Sequence, residues 1–474
     1  MLHLDAQRID AQRIGATHGL DLAAAFDTHG ATVRQCVENL YGSRHEEGCW
    51  TKWLNLPYDE ALVDEINAYA QSVRSQFDDC VILGIGGSSL GGLALLKALL
   101  PSQWNAYRDP AKRQGLPRYH FVDNVDADVI QSLLEDLDLS RTLVIVISKS
   151  GTTAESMAAF LLFKARLDAV VGAENAKRHL VAVTDRRSGV LRPLADSEGY
   201  QTFEVPDDVG GRFSVFSAVG LLPAALCGVD IAALLRGARE VDTLLKNPDV
   251  RQNPAAQNAL IHWLYYQQGK RLSVMMPYSA SLSFVADWYV QLYAESLGKR
   301  FDRQGNEVHI GPTPVKSVGV TDQHSQLQLY MEGPHDKVIT FIAVESPGRP
   351  LPIPDVFPQL RDKLGYVAGK SFEALMKAEF EGTRTSLTNQ QRPSVTLTLP
   401  VIDAYHLGQL LFFFEVQVAL MGGLFGIDPF DQPGVEDSKK IAKALMGEPG
   451  LEHLADSVRE QSRCGGSAPM AIGA

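Results

Sequence analysis

Cysteine is scarce and patternless: the 474 residues carry five, Cys36, Cys49, Cys80, Cys227 and Cys464, widely spaced and without a CxxC pair. That excludes a disulfide framework and a zinc ribbon, and a reducing, cytoplasmic compartment is expected. Positive charge is in deficit, with 44 Lys and Arg against 56 Asp and Glu and a formal net charge of −12. Nonspecific attraction to nucleic acid or an anionic membrane is not expected, and a phosphorylated ligand needs a local cationic site. MLHLDAQRIDAQRIG repeats DAQRI but lacks a basic start followed by an apolar stretch, so no secretory signal is expected. The longest apolar stretches are interrupted, 218–235 by Pro223 and Asp230 and 412–427 by Glu415, and read as buried elements rather than membrane spans. The histidines show no HExxH or paired spacing, so no zinc site is expected.

What is present fits a folded enzyme. Hydrophobic residues at 45% and charged residues at 21% are ordinary globular usage, and the length suits two or three domains of roughly 150 residues. Residues 1 to about 75 show helical spacing, broken near Pro57, which predicts an N-terminal helical arm. From Cys80, CVILGIGG, HFVDN, TLVIVISKSGTT and HLVAVTD alternate with helical patterns, predicting an α/β fold with a parallel sheet covered on both faces. RLSVMMPY, a helix over 287–297, VITFIAV and SVTLTLP, leading into an apolar helix around Phe412, predict a second α/β domain. The tail after Gly450 is weakly patterned and expected to be peripheral.

Two loops could hold a phosphate, or could simply turn the chain from a strand into a helix. In GIGGSSLGG, residues 84–92, an apolar strand runs into glycines and then a helix, so backbone N–H groups around Gly87 and Ser88 can face an anion. The third glycine of a dinucleotide fingerprint is replaced by Ser89, and no Gly-Lys-Ser/Thr follows. SKSGTT places Ser148, Lys149, Ser150, Thr152 and Thr153 between a strand and a helix, a set of hydroxyls with one ammonium that suits a small phosphate as well as it suits a helix cap. Arg212 follows paired glycines, where a guanidinium can meet an oxyanion or simply a surface carboxylate. Asp287, Gln291 and Glu295 recur every four residues on one helical face, offering a carboxylate base or merely an amphipathic surface. His324 in DQHS, and Gln432 and Lys439 in DQPGVEDSKK, are polar loop residues that would mean little singly.

Together GIGGSSLGG, SKSGTT, VGGRFSVFSAVGLL, QLYAESLGK, DQHSQLQ and DQPGVEDSKK, in this order over roughly residues 80–448, resemble the glucose-6-phosphate isomerase family of compact bacterial type. The resemblance implies two doubly wound sugar-isomerase domains in three αβα layers, laid out as 1–58 (helical arm joining the larger domain), 59–230 (smaller), 231–450 (larger) and 451–474 (tail). It implies reversible isomerisation of glucose 6-phosphate and fructose 6-phosphate through a cis-enediol. Glu295 would be the base, Arg212 would stabilise developing negative charge, and His324 and Lys439 would open the sugar ring, with His324 entering from the other subunit of a homodimer. Gly87, Ser88, Ser148, Lys149, Ser150 and Thr153 would cradle the phosphate, Gln291 and Gln432 would bond the sugar, and Thr152 would line the pocket with Gln291. Discrimination against mannose 6-phosphate is not legible in the pocket residues. A noncatalytic sugar-phosphate sensor would not need Glu295, Arg212, His324 and Lys439 together and would usually bring a basic DNA-binding segment. An amidotransferase-linked isomerase would begin with a cysteine nucleophile, which Met1-Leu2-His3 does not supply.

Overall fold

The computed structural model describes residues 1–346 and 348–463; of the expected tail, residues 464–474, Cys464 among them, lie outside the described residues, while Glu452–Arg463 form a helix. Two compact units are present, Met1–Pro429 and Phe430–Ala474. The expected domain boundary at 230/231 falls inside the first unit, where Asp230 caps the helix Ile231–Leu245.

Among the described residues, twelve strands run through the first unit: β1 (His3–Asp5), β2 (Asp79–Leu83), β3 (Arg118–Val122), β4 (Thr142–Ile147), β5 (Leu180–Asp185), β6 (Gln201–Val205), β7 (Leu272–Pro277), β8 (Lys299–Phe301), β9 (Glu307–Ile310), β10 (Thr313–Lys316), β11 (Lys337–Val344) and β12 (Ser394–Leu399). One sheet has the order β3-β2-β4-β5-β6 and is parallel throughout. Its inner strands β2, β4 and β5 are buried at every position, which is why they read as unbroken Val/Ile/Leu runs. The other sheet has the order β1-β12-β11-β7-β10, parallel except for β1, which pairs antiparallel with β12 in the register His3↔Thr398. Strands β8 and β9 form a small antiparallel pair.

The two sheets are wound alike. In each, the first parallel strand (β2 or β7) has the next parallel strand on one side and the following one on the other, so the winding reverses there. Right-handed crossovers then place the connecting helices on both faces, giving the expected doubly wound α/β layers. The helix Ala404–Phe425 is apolar nearly all round and long enough to cross a membrane, but 89% of its most apolar stretch is buried within the protein. The N-terminal segment is mainly helical, with helices Leu22–Gly42 and Glu60–Val73, but it opens on β1. Three residues are too few for a period-2 pattern, so this edge strand leaves no trace in the sequence.

Candidate active site

Strand β2 delivers the chain to Gly84–Gly86, and the helix Gly87–Leu99 begins with Gly86 at φ +59 and no side chain capping its first turn. Strand β4, hydrogen-bonded beside β2, delivers the chain to Ser148, and the helix Ala154–Val171 likewise begins without a side-chain cap from Thr153. Two uncapped helix N-termini thus follow the two strands that flank the winding reversal, where α/β sheets hold their ligands. Their first-turn N–H groups and dipoles both favour an anion.

The SKSGTT loop is organised by its own hydroxyls. Ser148 Oγ donates to Thr153 Oγ1 at 3.3 Å and accepts from Gly151 N at 3.0 Å, while the Ser150 and Thr152 hydroxyls lie 2.8 Å apart. Ser88 Oγ makes no hydrogen bond among the described residues and is half-buried. The Lys149 ammonium is already engaged, donating to the Pro206 carbonyl at 3.1 Å and the Val209 carbonyl at 3.3 Å. Burial lowers its pKa below the usual lysine range. Its head group therefore ties the hydroxyl loop to the segment that leads into Arg212.

Arg212 sits on the short turn Gly211–Phe213 and is almost wholly buried. A Cβ on Gly87 would lie 2.3 Å from the Gly211 carbonyl carbon and 2.8 Å from Arg212 N, so the two backbones meet only because position 87 is glycine. Arg212 Nε donates to Ser296 Oγ at 2.8 Å, Nη2 donates to the Pro429 carbonyl, and Nη1 stands 3.5 Å from Glu295 Oε2. The guanidinium is thereby aimed rather than merely paired.

Glu295 lies near the end of the helix Ser283–Leu297, with about a third of its side chain exposed. That helix packs antiparallel to Gly87–Leu99: a Cβ on Gly86 would come within 3.0 Å of Gln291 Nε2, and at the other end Lys97 Nζ stands 5.7 Å from the Phe284 ring centre. Antiparallel packing carries Glu295 to the glycine loop. Gln291 Nε2 donates to Glu295 Oε1 at 3.0 Å, one turn away, and Gln291 Oε1 is buried with no partner among the described residues. Asp287, expected on the same face, instead pairs with Lys316 at 2.5 Å. It stands where the helix passes β10, a strand the sequence reading did not foresee.

Gly87, Arg212, Gln291 and Glu295 are thus brought together, and Lys149 links Ser148 through Thr153 to them. His324 ends the turn Thr321–His324, exposed and without a hydrogen bond among the described residues. Gln432 and Lys439 belong to the second unit, where Lys439 Nζ pairs with Glu436 at 2.8 Å. Ser296, which fixes the guanidinium, was not foreseen; its position directly after Glu295 is the only sequence signal for it. No group of three or more His, Cys, Asp or Glu among the described residues is placed to hold a metal ion.

Two like-wound sheets, a pair of uncapped helix N-termini and a carboxylate beside a buried guanidinium define a doubly wound α/β protein. Residues 62–462 match Phosphoglucose isomerase, and the chain belongs to that family of isomerases. It is 43% identical over 407 residues to the glucose-6-phosphate isomerase of Carboxydothermus hydrogenoformans, covering 86% of this chain and 87% of the relative. It is 42% identical over 400 residues to that of Rubrobacter xylanophilus, covering 84% and 89%. Among solved structures it is similar to a hypothetical protein from Thermus thermophilus, with a TM-score of 0.84 at 36% identity over 94% of this chain and 100% of that one. A glucose-6-phosphate isomerase from Chlamydia trachomatis shares the fold at a TM-score of 0.76 and 24% identity, over 97% and 92%.

Proposed function

We propose that the chain interconverts glucose 6-phosphate and fructose 6-phosphate with Glu295 as the proton carrier. The observation that supports these roles most directly is the Arg212–Glu295 pair held against the glycine loop. The phosphate is received by the Gly87 N–H, by the hydroxyl of Ser88, whose own N–H already donates to the Ile85 carbonyl at 3.1 Å, and by the hydroxyls of Ser148, Ser150 and Thr153, with Lys149 bracing the loop and Thr152 also contacting the substrate.

In the open-chain aldose, the Glu295 carboxylate takes the proton from C2. The C1–C2 bond becomes double and charge moves to the former carbonyl oxygen. Arg212, already desolvated and oriented, meets that charge without reorganisation. The same carboxyl returns the proton to C1 while the C2 hydroxyl gives its proton up to the charged O1, leaving the ketose carbonyl at C2 and a hydroxyl at C1. His324 and Lys439 act as the acid–base pair for ring opening, and Gln291 and Gln432 bond the sugar hydroxyls. The exposure of His324 suits a residue lent to a second subunit, so the working form is a homodimer. We place the reaction in cytoplasmic glycolysis and gluconeogenesis, with no cofactor.

The test compares fructose 6-phosphate formation by the protein and by Glu295→Gln, with sugar-phosphate binding measured in parallel. Turnover should fall by about 10³-fold with binding retained. Undiminished turnover in Glu295→Gln would remove this residue from the chemistry.

A further inference from the structure

The start of the second sheet gathers positive charge that the isomerase site does not use. Lys270 precedes β7, His335 and Lys337 stand at the start of β11, Arg392 precedes β12, and His18 comes from the N-terminal loop. That loop is fixed beside β12: a Cβ on Gly15 would lie 3.1 Å from Gln391 Nε2. The His18 and His335 rings stack face to face, 3.9 Å apart and within 3° of parallel.

The counter-charge is short. Asp336 pairs with Lys337 at 2.5 Å, and Lys337 also donates to the Pro334 carbonyl. Arg392 spends Nη1 and Nη2 on the carbonyls of Met331, Gly333 and Pro334, leaving Nε buried without a partner among the described residues. Lys270 is only 4% exposed as a residue, and its ammonium has no hydrogen bond or ion pair among the described residues; the Tyr265 ring is centred 5.2 Å from it. An ammonium on a largely buried side chain and without a protein acceptor gains from an anion placed against it. None of these side chains hydrogen-bonds a member of the Arg212–Glu295 centre.

We propose that this cluster binds a small dianionic oxyanion of the phosphate class, accepted by Lys270 and by the His18–His335 pair in the field of Arg392 and Lys337. The groups facing the histidines are Lys270, Arg392 and Lys337, with Asp336 the neighbouring carboxylate. Burial, then Arg392, His18, Lys270 and Lys337, hold His335 down at about 4, and burial with Lys270 and Arg392 lowers His18. An anion seated among them reverses that field. It therefore binds together with a proton, and by linkage binds more tightly as pH falls.

Sulfate is the first probe, because its charge is constant across the range and any pH dependence belongs to the protein. Sulfate is titrated at fixed ionic strength into ¹³C-histidine-labelled protein, with His18→Asn and His335→Asn assigning the two rings. Saturable movement of both rings is expected, with affinity rising up to about tenfold per unit as pH falls from about 7.5 to about 5.5. Lys270→Met should weaken binding at least tenfold while leaving isomerase turnover unchanged. If Lys270→Met does not fold, His335→Asn, at an exposed position, should flatten the pH dependence. Inorganic phosphate and glucose 6-phosphate are then compared: movement by phosphate alone indicates a free-anion site, and equal or tighter movement by the sugar phosphate indicates a phosphomonoester site. Rings that no probe moves, or an unaltered response in Lys270→Met or His335→Asn, overturn the proposal.

Discussion

Arg212 Nη1 stands 3.5 Å from Glu295 Oε2, while Nε of the same guanidinium donates to Ser296 Oγ at 2.8 Å. Consecutive residues of one helix turn thus carry the carboxylate and the hydroxyl that orients its cationic neighbour. The contact to the carboxylate is the longer of the two. Nε on Ser296 and Nη2 on the Pro429 carbonyl hold Nη1 beside the carboxylate, so its charge is aimed before any anion arrives.

Arg212→Lys keeps the charge and loses the fork. A lysine cannot satisfy Ser296 Oγ, the Pro429 carbonyl and Glu295 from one nitrogen in the same geometry. Steady-state kinetics should show kcat reduced by about 10²–10³-fold with KM changed far less. Ser296→Ala should give a smaller loss in the same parameter.

The glycine loop gives a paired test. Gly87→Ala drives a methyl into the Gly211 backbone and should cost about 1–3 kcal/mol in thermal unfolding along with most activity. Gly211→Ala places its methyl 3.8 Å from Gly87 Cα, an ordinary contact, and should be far milder. Equal losses in the two variants would contradict the close approach.

Glu415 lies in the middle of the helix Ala404–Phe425, fully buried, with both carboxyl oxygens lacking partners among the described residues. Burial raises its pKa well above the usual range. The native state therefore holds this proton more tightly than the unfolded chain. The stability this gives is complete below about pH 4.5 and is lost as pH rises toward the folded pKa. Glu415→Gln should unfold at a higher temperature than the parent at about pH 8, with the gap closing toward about pH 5.

Shared sites predict complementation. Glu295→Gln and His324→Gln homodimers should each be nearly inactive. Mixed dimers assembled from both should regain turnover, because one of their two sites receives Glu295 and His324 from the intact halves. Activity of the mixture that never exceeds the average of the parents would place His324 in its own subunit's site.

How much was legible follows from burial. Strands β2, β4, β5, β7, β11 and β12 lie inside sheets and spell apolar runs, and they were readable. The unforeseen strands lie at edges or outside the main sheets. β10 holds Pro314 and closes one side of its sheet, β1 closes the other, β6 alternates as QTFEV, and β8 and β9 are largely exposed. Edge strands need only one apolar face, so their composition stays close to that of a loop. At the site, the glycine and hydroxyl loops and the spacing of Gln291 and Glu295 were visible because each is local in sequence. The Lys149 bonds to Pro206 and Val209 and the Asp287 pair with Lys316 join segments distant in the chain, which no local pattern encodes.

The pairing of β1 with β12 also sets a clock. His3 meets Thr398, so β1 leaves the ribosome and waits for a partner made 395 residues later, about 20–80 s at ordinary synthesis rates. The β2–β6 sheet, whose strands all fall between Asp79 and Val205, can assemble within that interval. The sheet completed by β1 closes last, and β1 has to be kept from finding another strand edge in the meantime.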